Sequence, residues 1–321
     1  MNTMRQALIF SALSALTLAQ PATAQLNPSR PIVLVVPVAA GGGVDAIGRL
    51  VAEKLQERLK HNVVVENRTG AGGIVGTDSV AKAAPDGHTL LLIETSAAIS
   101  KWLHRSTPFD VTKDFAPIAQ IATTSLMMFG HPSVDAKDVK DVIALAKKSP
   151  LSIAIPGVGT PHHLAHLMLQ SAANVQIQTI PYRGTGPGLA DVLAGRVPLM
   201  WSTPGPLIPH VQAEKAKALG VASLKREPTF PQALTIAESA LPGFGLEVWF
   251  GVAAPAKTPP AIVSQIGREL AAIAQSPEMK DRAAKIAFNV NYADGEAFAK
   301  IIATDYERYG KTIEAAGIAP N

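Results

Sequence analysis

The stretch PIVLVVPVAAGGG (residues 31–43) decides how this chain folds, because an apolar run leads directly into three consecutive glycines. The arrangement returns at VVVENRTGAGG (residues 63–73), where a second apolar run precedes a second glycine-rich loop. Each apolar run predicts a buried strand, and the segments 44–60 and 73–84 predict a helix after each loop. Strands that alternate with helices favour parallel pairing in an α/β sheet.

The two glycine loops have the chemistry of an anion site. Glycine lets backbone N–H groups approach a ligand closely, and a helix start adds unpaired N–H donors and the positive end of the helix dipole. In α/β sheets, ligands bind beyond the carboxyl ends of the strands, where both loops fall. Residues 38–43 and 67–73 therefore predict a cradle for a small anion such as a carboxylate.

The middle of the chain repeats the alternation of strand, glycine loop and helix. A strand is predicted at 151–155, a third glycine loop at 157–160 and a helix over about 161–172. A further strand at 177–180 leads into the loop Pro181-Tyr182-Arg183-Gly184. This repetition predicts a second lobe built like the first, in agreement with a length above the usual limit for one core.

Two extended apolar segments, 118–129 and 245–254, predict two crossings between the lobes. The chain then returns to its first lobe, so we expect lobe 1 to comprise 25–124 and 249–321, and lobe 2 to comprise 125–248. Two crossing segments form a hinge that allows the lobes to close on a ligand.

The first 24 residues predict a signal peptide. Arg5 precedes an apolar run over 7–18, and Ala22-Thr23-Ala24 is a small-x-small cleavage site before Gln25. The run is shorter than the about 20 residues that span a bilayer. We therefore expect an exported, soluble protein that resides in the periplasm.

Composition excludes several classes of function. The chain has no cysteine, which rules out disulfides, thiolate metal sites and cysteine nucleophiles. Its net charge of +4 is not concentrated in runs of lysine or arginine, so no nucleic-acid partner is expected. Nothing in the composition calls for a cofactor.

Several motifs occur in a distinctive order and spacing: Pro37-x-x-x-Gly41-Gly42-Gly43-x-Asp45, Val64-Val65-Glu66-Asn67-Arg68-x-Gly70-Ala71-Gly72-Gly73, Ala84-Pro85-Asp86-Gly87-x-Thr89-Leu90, Gly157-x-Gly159-Thr160-x-x-His163-Leu164, Pro181-Tyr182-Arg183-Gly184, Pro242-Gly243-Phe244 and Trp249-Phe250-Gly251-x-x-Ala254-Pro255. In this order they resemble the periplasmic solute receptors of tripartite tricarboxylate transporters, also called Bordetella uptake gene (Bug) proteins. The resemblance covers essentially the whole mature chain.

The resemblance implies a periplasmic binding-protein fold with two lobes, each a mostly parallel sheet flanked by helices, and a hinged cleft. It implies a non-enzymatic, monomeric receptor that captures a small organic carboxylate and delivers it to a two-component integral membrane permease. The ligand's carboxylate would lie on the first two glycine loops. The ligand-binding residues expected are Val38, Ala40, Gly41, Gly42, Gly43, Gly70, Ala71, Gly72, Ser96, Thr160, His163, Arg183, Trp201 and Ser202, with no catalytic or metal-binding residue.

The roles of some aromatic and charged residues stay open. Trp201 and Trp249 either line the cleft or fill the core, and Arg183 either reaches an anionic ligand or lies at the surface. The stretch 195–202 lacks an acidic residue that relatives often carry, which disfavours an amino-acid ligand because a buried ammonium group needs a partner. The identity of the carboxylate is not determined by the sequence.

An exported nucleotide- or zinc-dependent enzyme is the alternative. Gly41-x-Gly43-x-x-Ala46 matches the dinucleotide fingerprint, and Glu66 follows near the spacing of a ribose-binding acid. Export and the second glycine loop disfavour that interpretation. His162 and His166 lie one turn apart and could share a zinc ion, but the sequence offers no obvious third ligand. We expect instead one histidine near the ligand, His163, and two at the surface.

Three charged residues are not expected to contact the ligand. Asp45 falls in the first turn of the helix after the first loop, where the helix dipole favours a negative charge. Glu66 and Arg68 are expected to be structural or to form an ion pair rather than to contact the ligand.

Overall fold

The computed structural model describes residues 26–320. The predicted signal peptide over 1–24 and the expected mature start at Gln25 lie outside the described residues. The strands are β1 (Ile32–Val36), β2 (Val63–Asn67), β3 (Thr89–Glu94), β4 (Phe115–Ser125), β5 (Met127–Gly130), β6 (Ser152–Ile155), β7 (Gln178–Pro181), β8 (Leu199–Ser202), β9 (Lys217–Val221), β10 (Glu247–Pro255) and β11 (Asn289–Asp294). The helices are α1 (Gly43–Leu59), α2 (Ile74–Ala81), α3 (Ser96–Leu103), α4 (Val139–Ala146), α5 (Pro161–Ala173), α6 (Thr185–Leu193), α7 (Ile208–Gln212), α8 (Ile236–Ser239), α9 (Pro260–Gln275), α10 (Pro277–Lys285) and α11 (Gly295–Ala315).

The first sheet has the strand order β11-β4-β10-β3-β1-β2. β1 pairs in parallel with β2 on one side and β3 on the other, with Val36 opposite Asn67. Because these two residues end their strands at the same level, the two glycine loops start side by side. Helix α1 packs on β1 and β2 and buries Ile47, Val51 and Leu55 there.

The second sheet has the order β7-β6-β8-β5-β9. Its strand β6 pairs in parallel with β7 and β8, and Ile155 lies opposite Pro181. The third glycine loop therefore starts beside the loop that follows β7, just as the first two loops start together in the first sheet.

The expected α/β fold with two sheets flanked by helices is confirmed, but both sheets are mixed rather than mostly parallel. Among the strands of residues 26–320, parallel pairs occur within β1–β3 and within β6–β8. The long strands β4 and β10 pair with each other in antiparallel orientation, as do β5 with β8 and β9. The reason is connectivity: the chain leaves the first sheet along β4 and re-enters it along β10, so the two strands run in opposite directions.

The two sheets are joined by these crossing segments. Only Leu126 separates β4 from β5, and on the return path the N–H of Leu246 donates to the carbonyl of Ala222 at 2.9 Å. The C-terminal helix α11 packs on β4 and α3 of the first sheet. Trp249 in β10 donates from Nε1 to Asp305 of α11 at 2.8 Å, which fixes this helix to the crossing strand.

Within residues 26–320, no helix combines the length and the apolar character that a membrane crossing requires.

Candidate ligand-binding site

A cavity of about 520 Å³ lies where the carboxyl-end loops of the two sheets meet. Its volume falls in the range of small-molecule binding sites. Loops from both sheets contribute to the lining. The lining residues are Pro37, Val38, Ala39, Gly42, Gly43, Val44, Thr69, Gly70, Ala71, Gly72, Gly73, Glu94, His104, Pro156, Gly157, Val158, Thr160, Pro161, His162, Pro181, Tyr182, Arg183, Gly184, Thr185, Thr203, Val248 and Phe250.

A hydrogen-bond network holds the first two loops together. The Nδ2 group of Asn67 donates to the carbonyl of Val38 at 3.0 Å and to Oδ1 of Asp45 at 2.9 Å. The N–H of Gly41 donates to Oδ2 of the same carboxylate at 3.0 Å. One buried carboxylate thus connects the first loop to the end of β2, which orients the backbone N–H groups of the first loop.

Arg49 completes this network from the next turn of α1, donating to Asp45 at 2.9 Å. Burial would raise the pKa of Asp45, but hydrogen bonds from Arg49, Asn67 and Gly41 hold it below its ordinary value. Asp45 therefore stays ionised at neutral pH, and it lies in the first helical turn as expected.

The second loop approaches the third loop, which belongs to the second sheet, so closely that it has no room for a side chain at Gly72. Gly72 has φ +64°, and a Cβ there would collide with the carbonyl oxygen of Val158 in the third loop. Ala71 beside it also has a positive φ, of 45°. The sequence Gly70-Ala71-Gly72-Gly73 is thus needed both for the loop's left-handed backbone and for its contact across the cavity.

The third loop is closed by Thr160, which caps helix α5. Its Oγ1 donates to the carbonyl of Gly157 at 2.8 Å and accepts from the N–H of His163 at 3.3 Å. Thr160 lines the cavity as expected, but its hydroxyl group is already engaged within the loop.

The histidines of α5 are arranged differently from the expectation. His162, His163 and His166 are all buried, so the expected surface location of two of them is wrong. His162 is the one that lines the cavity. His163 lies behind it, where Nδ1 accepts from the N–H of Gly159 at 3.3 Å, and His166 contacts the carbonyl of Ile177 at 3.0 Å.

His162 presents a neutral imidazole to the cavity. Burial lowers its pKa to about 3, and neither ring nitrogen has a hydrogen-bond partner within residues 26–320. A buried polar group without a partner is costly unless a ligand or water satisfies it. Across the part of the chain that the structure describes, no three histidine, aspartate or glutamate side chains converge as metal ligands would.

Eight of the fourteen expected ligand-binding residues line the cavity. They are Val38, Gly42, Gly43, Gly70, Ala71, Gly72, Thr160 and Arg183. Arg183 is exposed at the cavity and forms no ion pair with any residue between 26 and 320, so it is available to an anionic ligand. Whether these eight residues contact a ligand remains a prediction.

The other six expected residues lie outside the cavity lining, each for a physical reason. Ala40 and Gly41 turn outward to solvent, and the N–H of Gly41 is taken by Asp45. Ser96 directs its N–H and hydroxyl to Glu94. His163 is occupied by the third loop, as described above.

The remaining two, Trp201 and Ser202, are fully buried in β8, the central strand of the second sheet. Trp201 belongs to the hydrophobic core. Trp249 is also a core residue, packed edge-on against Phe298 with ring centroids 5.2 Å apart. The structure thus places both tryptophans in the core rather than in the cleft.

Among the lining residues that were not expected to bind the ligand are Glu94, Thr203 and His104. Glu94 and Thr203 each stand at the carboxyl end of a strand, β3 and β8, which is the signal that identifies binding residues in α/β sheets. The hydroxyl group of Thr203 is buried and has no partner within residues 26–320. His104 packs against Gly159, a contact across the cavity that sequence spacing does not reveal.

Glu66 and Arg68 form an ion pair, as expected, through Nε–Oε1 at 2.7 Å and a second contact at 2.9 Å. Neither residue lines the cavity. Glu66 is therefore engaged by Arg68 instead of being free for a nucleotide ribose.

A cavity between two α/β sheets joined by two crossing segments defines a two-lobed solute-binding protein. The periplasmic binding protein BugD superposes with a TM-score of 0.87 at 32% identity, over 92% of this chain and 100% of BugD. Rpa4515 of R. palustris, solved with adipate, superposes with a TM-score of 0.87 at 30% identity, over 92% of this chain and 99% of Rpa4515.

Residues 47–318 match the family described as tripartite tricarboxylate transporter family receptor. BugT of Bordetella pertussis (strain Tohama I) is 32% identical over 304 residues, which is 94% of this chain and 93% of BugT. The chain belongs to the tripartite tricarboxylate transporter receptor family. This family and BugD are substrate-binding receptors and not enzymes, so they lend no support to the zinc- or nucleotide-dependent alternatives.

Proposed function

We propose that this protein captures a small organic carboxylate in the periplasm and delivers it to a two-component integral membrane permease. The observation that carries the proposal is the cavity in which two glycine loops of the first sheet face a third glycine loop of the second. Backbone N–H groups at loops and helix starts bind carboxylates without a fixed cation. The family description and the adipate in Rpa4515 support this ligand class.

The first sheet would hold one carboxylate of the ligand on Val38–Gly43 and Asn67–Gly73. The second sheet would hold the rest of the ligand, with His162 and Thr203 as hydrogen-bonding groups and Arg183 as a cation. This division favours a ligand with a second polar group, such as a dicarboxylate. Because a ligand that bridges both sheets joins the two lobes, it would stabilise the closed form.

We further propose that lobe 1 comprises 25–124 and 249–321 and that lobe 2 comprises 125–248. The short link at Leu126 and the return segment before β10 would act as the hinge. The receptor would act as an exported monomer without cofactor or catalytic residue, with residues 1–24 as its signal peptide.

A thermal-shift screen of mono-, di- and tricarboxylates tests the proposal, with nucleotides and Zn²⁺ as comparison ligands. At least one carboxylate should raise the melting temperature. Small-angle scattering with that carboxylate should show a smaller radius of gyration than the free protein. A shift with a nucleotide or with Zn²⁺, and with none of the carboxylates, would contradict the proposed function.

Delivery to a permease needs its own experiment. Affinity capture from membranes with the carboxylate-loaded receptor should recover one large and one small integral membrane protein. Recovery of an ATP-hydrolysing importer instead would contradict this part of the proposal.

A further inference from the structure

Glu94 lies directly behind the second glycine loop. It ends β3, is only 4% exposed and lines the cavity. Ser96 donates to both of its oxygens, from N–H to Oε2 at 3.0 Å and from the hydroxyl group to Oε1. A Cβ placed on Gly73 would lie 3.3 Å from that same hydroxyl oxygen. The hydroxyl group of Ser96 therefore stands between the Glu94 carboxyl group, to which it is hydrogen-bonded, and the loop that is proposed to hold the ligand's carboxylate.

Within residues 26–320, no positively charged side chain compensates Glu94. Burial raises the pKa of Glu94 and the two hydrogen bonds from Ser96 lower it, whereas no lysine, arginine or histidine in these residues acts on it. The ionisable groups that face the same cavity are His104 and His162, which are uncharged, Tyr182, and Arg183 at the exposed edge. An ionised Glu94 would therefore stand next to a bound carboxylate without a counter-ion, and like charges repel strongly in a partly dry site.

We propose that Glu94 is protonated when a carboxylate occupies the glycine loops, so that Glu94 makes ligand capture depend on pH. This inference rests on the proposed function. In the ionised receptor, binding then takes up one proton at a Glu94 oxygen, and the acid form of the buffer supplies it. The neutral carboxyl group no longer repels the ligand and can donate one hydrogen bond.

The other groups in the cavity do not obscure this effect. Burial raises the pKa of Glu94, which brings its titration toward neutral pH. Burial lowers the pKa of His162 to about 3 and also lowers that of His104, so both rings stay neutral. The hydrogen bond from Tyr182 to Asp191 raises the pKa of the Tyr182 phenol, away from this range. Over the part of about pH 6 to about pH 9 in which the ligand itself stays fully ionised, a change of affinity therefore reports on Glu94.

The experiment is titration calorimetry over this pH range, with succinate, adipate, malate and citrate as the probes. For the tightest dicarboxylate, affinity should be highest at low pH and should fall by up to about tenfold per pH unit above the pKa of the free receptor. Titrations in buffers of different ionisation enthalpy should show uptake of one proton where the affinity falls.

Glu94→Gln is the decisive variant, because the amide is neutral at every pH and has nearly the same shape. It should bind with an affinity that changes less than about twofold over the range and that exceeds wild type at high pH. Glu296→Gln, which removes an exposed carboxylate far from the cavity, is the matched control and should keep the wild-type profile. Circular dichroism checks the fold of each variant.

Ser96→Ala provides a second measurement that does not need Glu94 to be replaced. The hydrogen bonds from Ser96 lower the pKa of Glu94, so removing the hydroxyl should move the fall in affinity to higher pH.

A wild-type receptor that binds a carboxylate with flat affinity and no proton uptake overturns the inference while leaving the proposed function intact. Glu94→Gln that loses binding at all pH values also overturns it, and tighter binding of amino acids would then identify Glu94 as an ionised partner of an ammonium group. Failure of every carboxylate to bind wild type at any pH instead overturns the proposed function itself.

Discussion

The two halves of the cavity differ in what they present to a ligand. The first sheet contributes mainly its glycine loops, with Val38, Gly42 and Gly43 from the first and residues 69–73 from the second, and Asp45 and Asn67 lie behind the first loop and position it. The second sheet contributes side chains with free hydrogen-bonding capacity, as in His162. Because backbone donors recognise any carboxylate whereas side chains select among ligands, we propose that the first sheet mainly provides affinity for the anion and the second sheet mainly determines the choice of ligand.

Substitution at the closest contact between the halves should have the largest effect. Gly72→Ala places a methyl group against the carbonyl of Val158 and disfavours the positive φ of the loop. We expect affinity for the best carboxylate to fall by about 100-fold, since overpacking of this kind typically costs about 1–3 kcal/mol. Titration calorimetry measures the change.

Gly186→Ala is the matched control, because a Cβ at Gly186 meets nothing within 4 Å. It should bind like wild type. Equal affinities of the two variants would show that contact between the second and third loops is not part of the bound state.

The next prediction concerns His162, on the side of the cavity that the second sheet forms. His162→Phe keeps a ring of similar size but removes both unpaired nitrogens. Loss of one or two hydrogen bonds should weaken dicarboxylate binding by about tenfold and leave monocarboxylate binding almost unchanged. His163→Asn, which keeps an acceptor for the N–H of Gly159 outside the cavity, should bind both classes like wild type. If His162→Phe weakened the binding of monocarboxylates and dicarboxylates equally, the second sheet would not be the part of the cavity that selects among carboxylates.

Most elements were predictable from apolar periodicity, because the helices are amphipathic. The helix expected over 44–60 spans Gly43–Leu59, and the helix expected over about 161–172 spans Pro161–Ala173. The antiparallel strands were missed, because pairing direction depends on how β4 and β10 cross between the sheets.

The candidate site was predictable only down to its loops. The sequence locates helix α5 but not its rotation, and one residue turns a side chain by about 100°, which is why His162 rather than His163 faces the cavity. The run Leu199–Ser202 is likewise buried on both faces, so the side chain that lines the cavity is the next one, Thr203. Periodicity cannot resolve a difference of one position.

A smaller effect on ligand affinity is expected at Asp45, which lies behind the first glycine loop. Asp45→Asn should weaken carboxylate binding by about fivefold, because the amide accepts fewer of the bonds that position the first loop. Burial raises the pKa of Asp45, but its hydrogen bonds outweigh this effect and hold the pKa below its ordinary value. Its contribution to stability is therefore present above about pH 4 and is lost as pH falls through the lowered value.

Thermal melts of wild type and Asp45→Asn should accordingly differ at neutral pH and converge in acid. Asp281→Asn, which removes an exposed carboxylate paired with Lys285, should melt like wild type throughout. A gap between wild type and Asp45→Asn that widens on acidification would contradict the assigned role.

The smallest effects on ligand affinity are expected at two arginines, Arg183 beside the second sheet and Arg68 beside the first. Arg183 lies at the cavity without an ion-pair partner in residues 26–320, whereas Arg68 is paired with Glu66 and also donates to Ser79 at 2.8 Å. Arg183→Ala should weaken dicarboxylate binding by about threefold at low salt and by less at high salt, because an exposed cation is screened. Arg68→Ala should change affinity by less than about twofold while lowering the melting temperature, since only packing and an exposed pair are lost. Calorimetry at two salt concentrations distinguishes the two residues.

If Arg68→Ala instead showed the larger, salt-dependent loss of affinity, a charged side chain next to the first two glycine loops would recognise the ligand. The proposed division between backbone recognition by the first sheet and side-chain recognition by the second would then have to be abandoned.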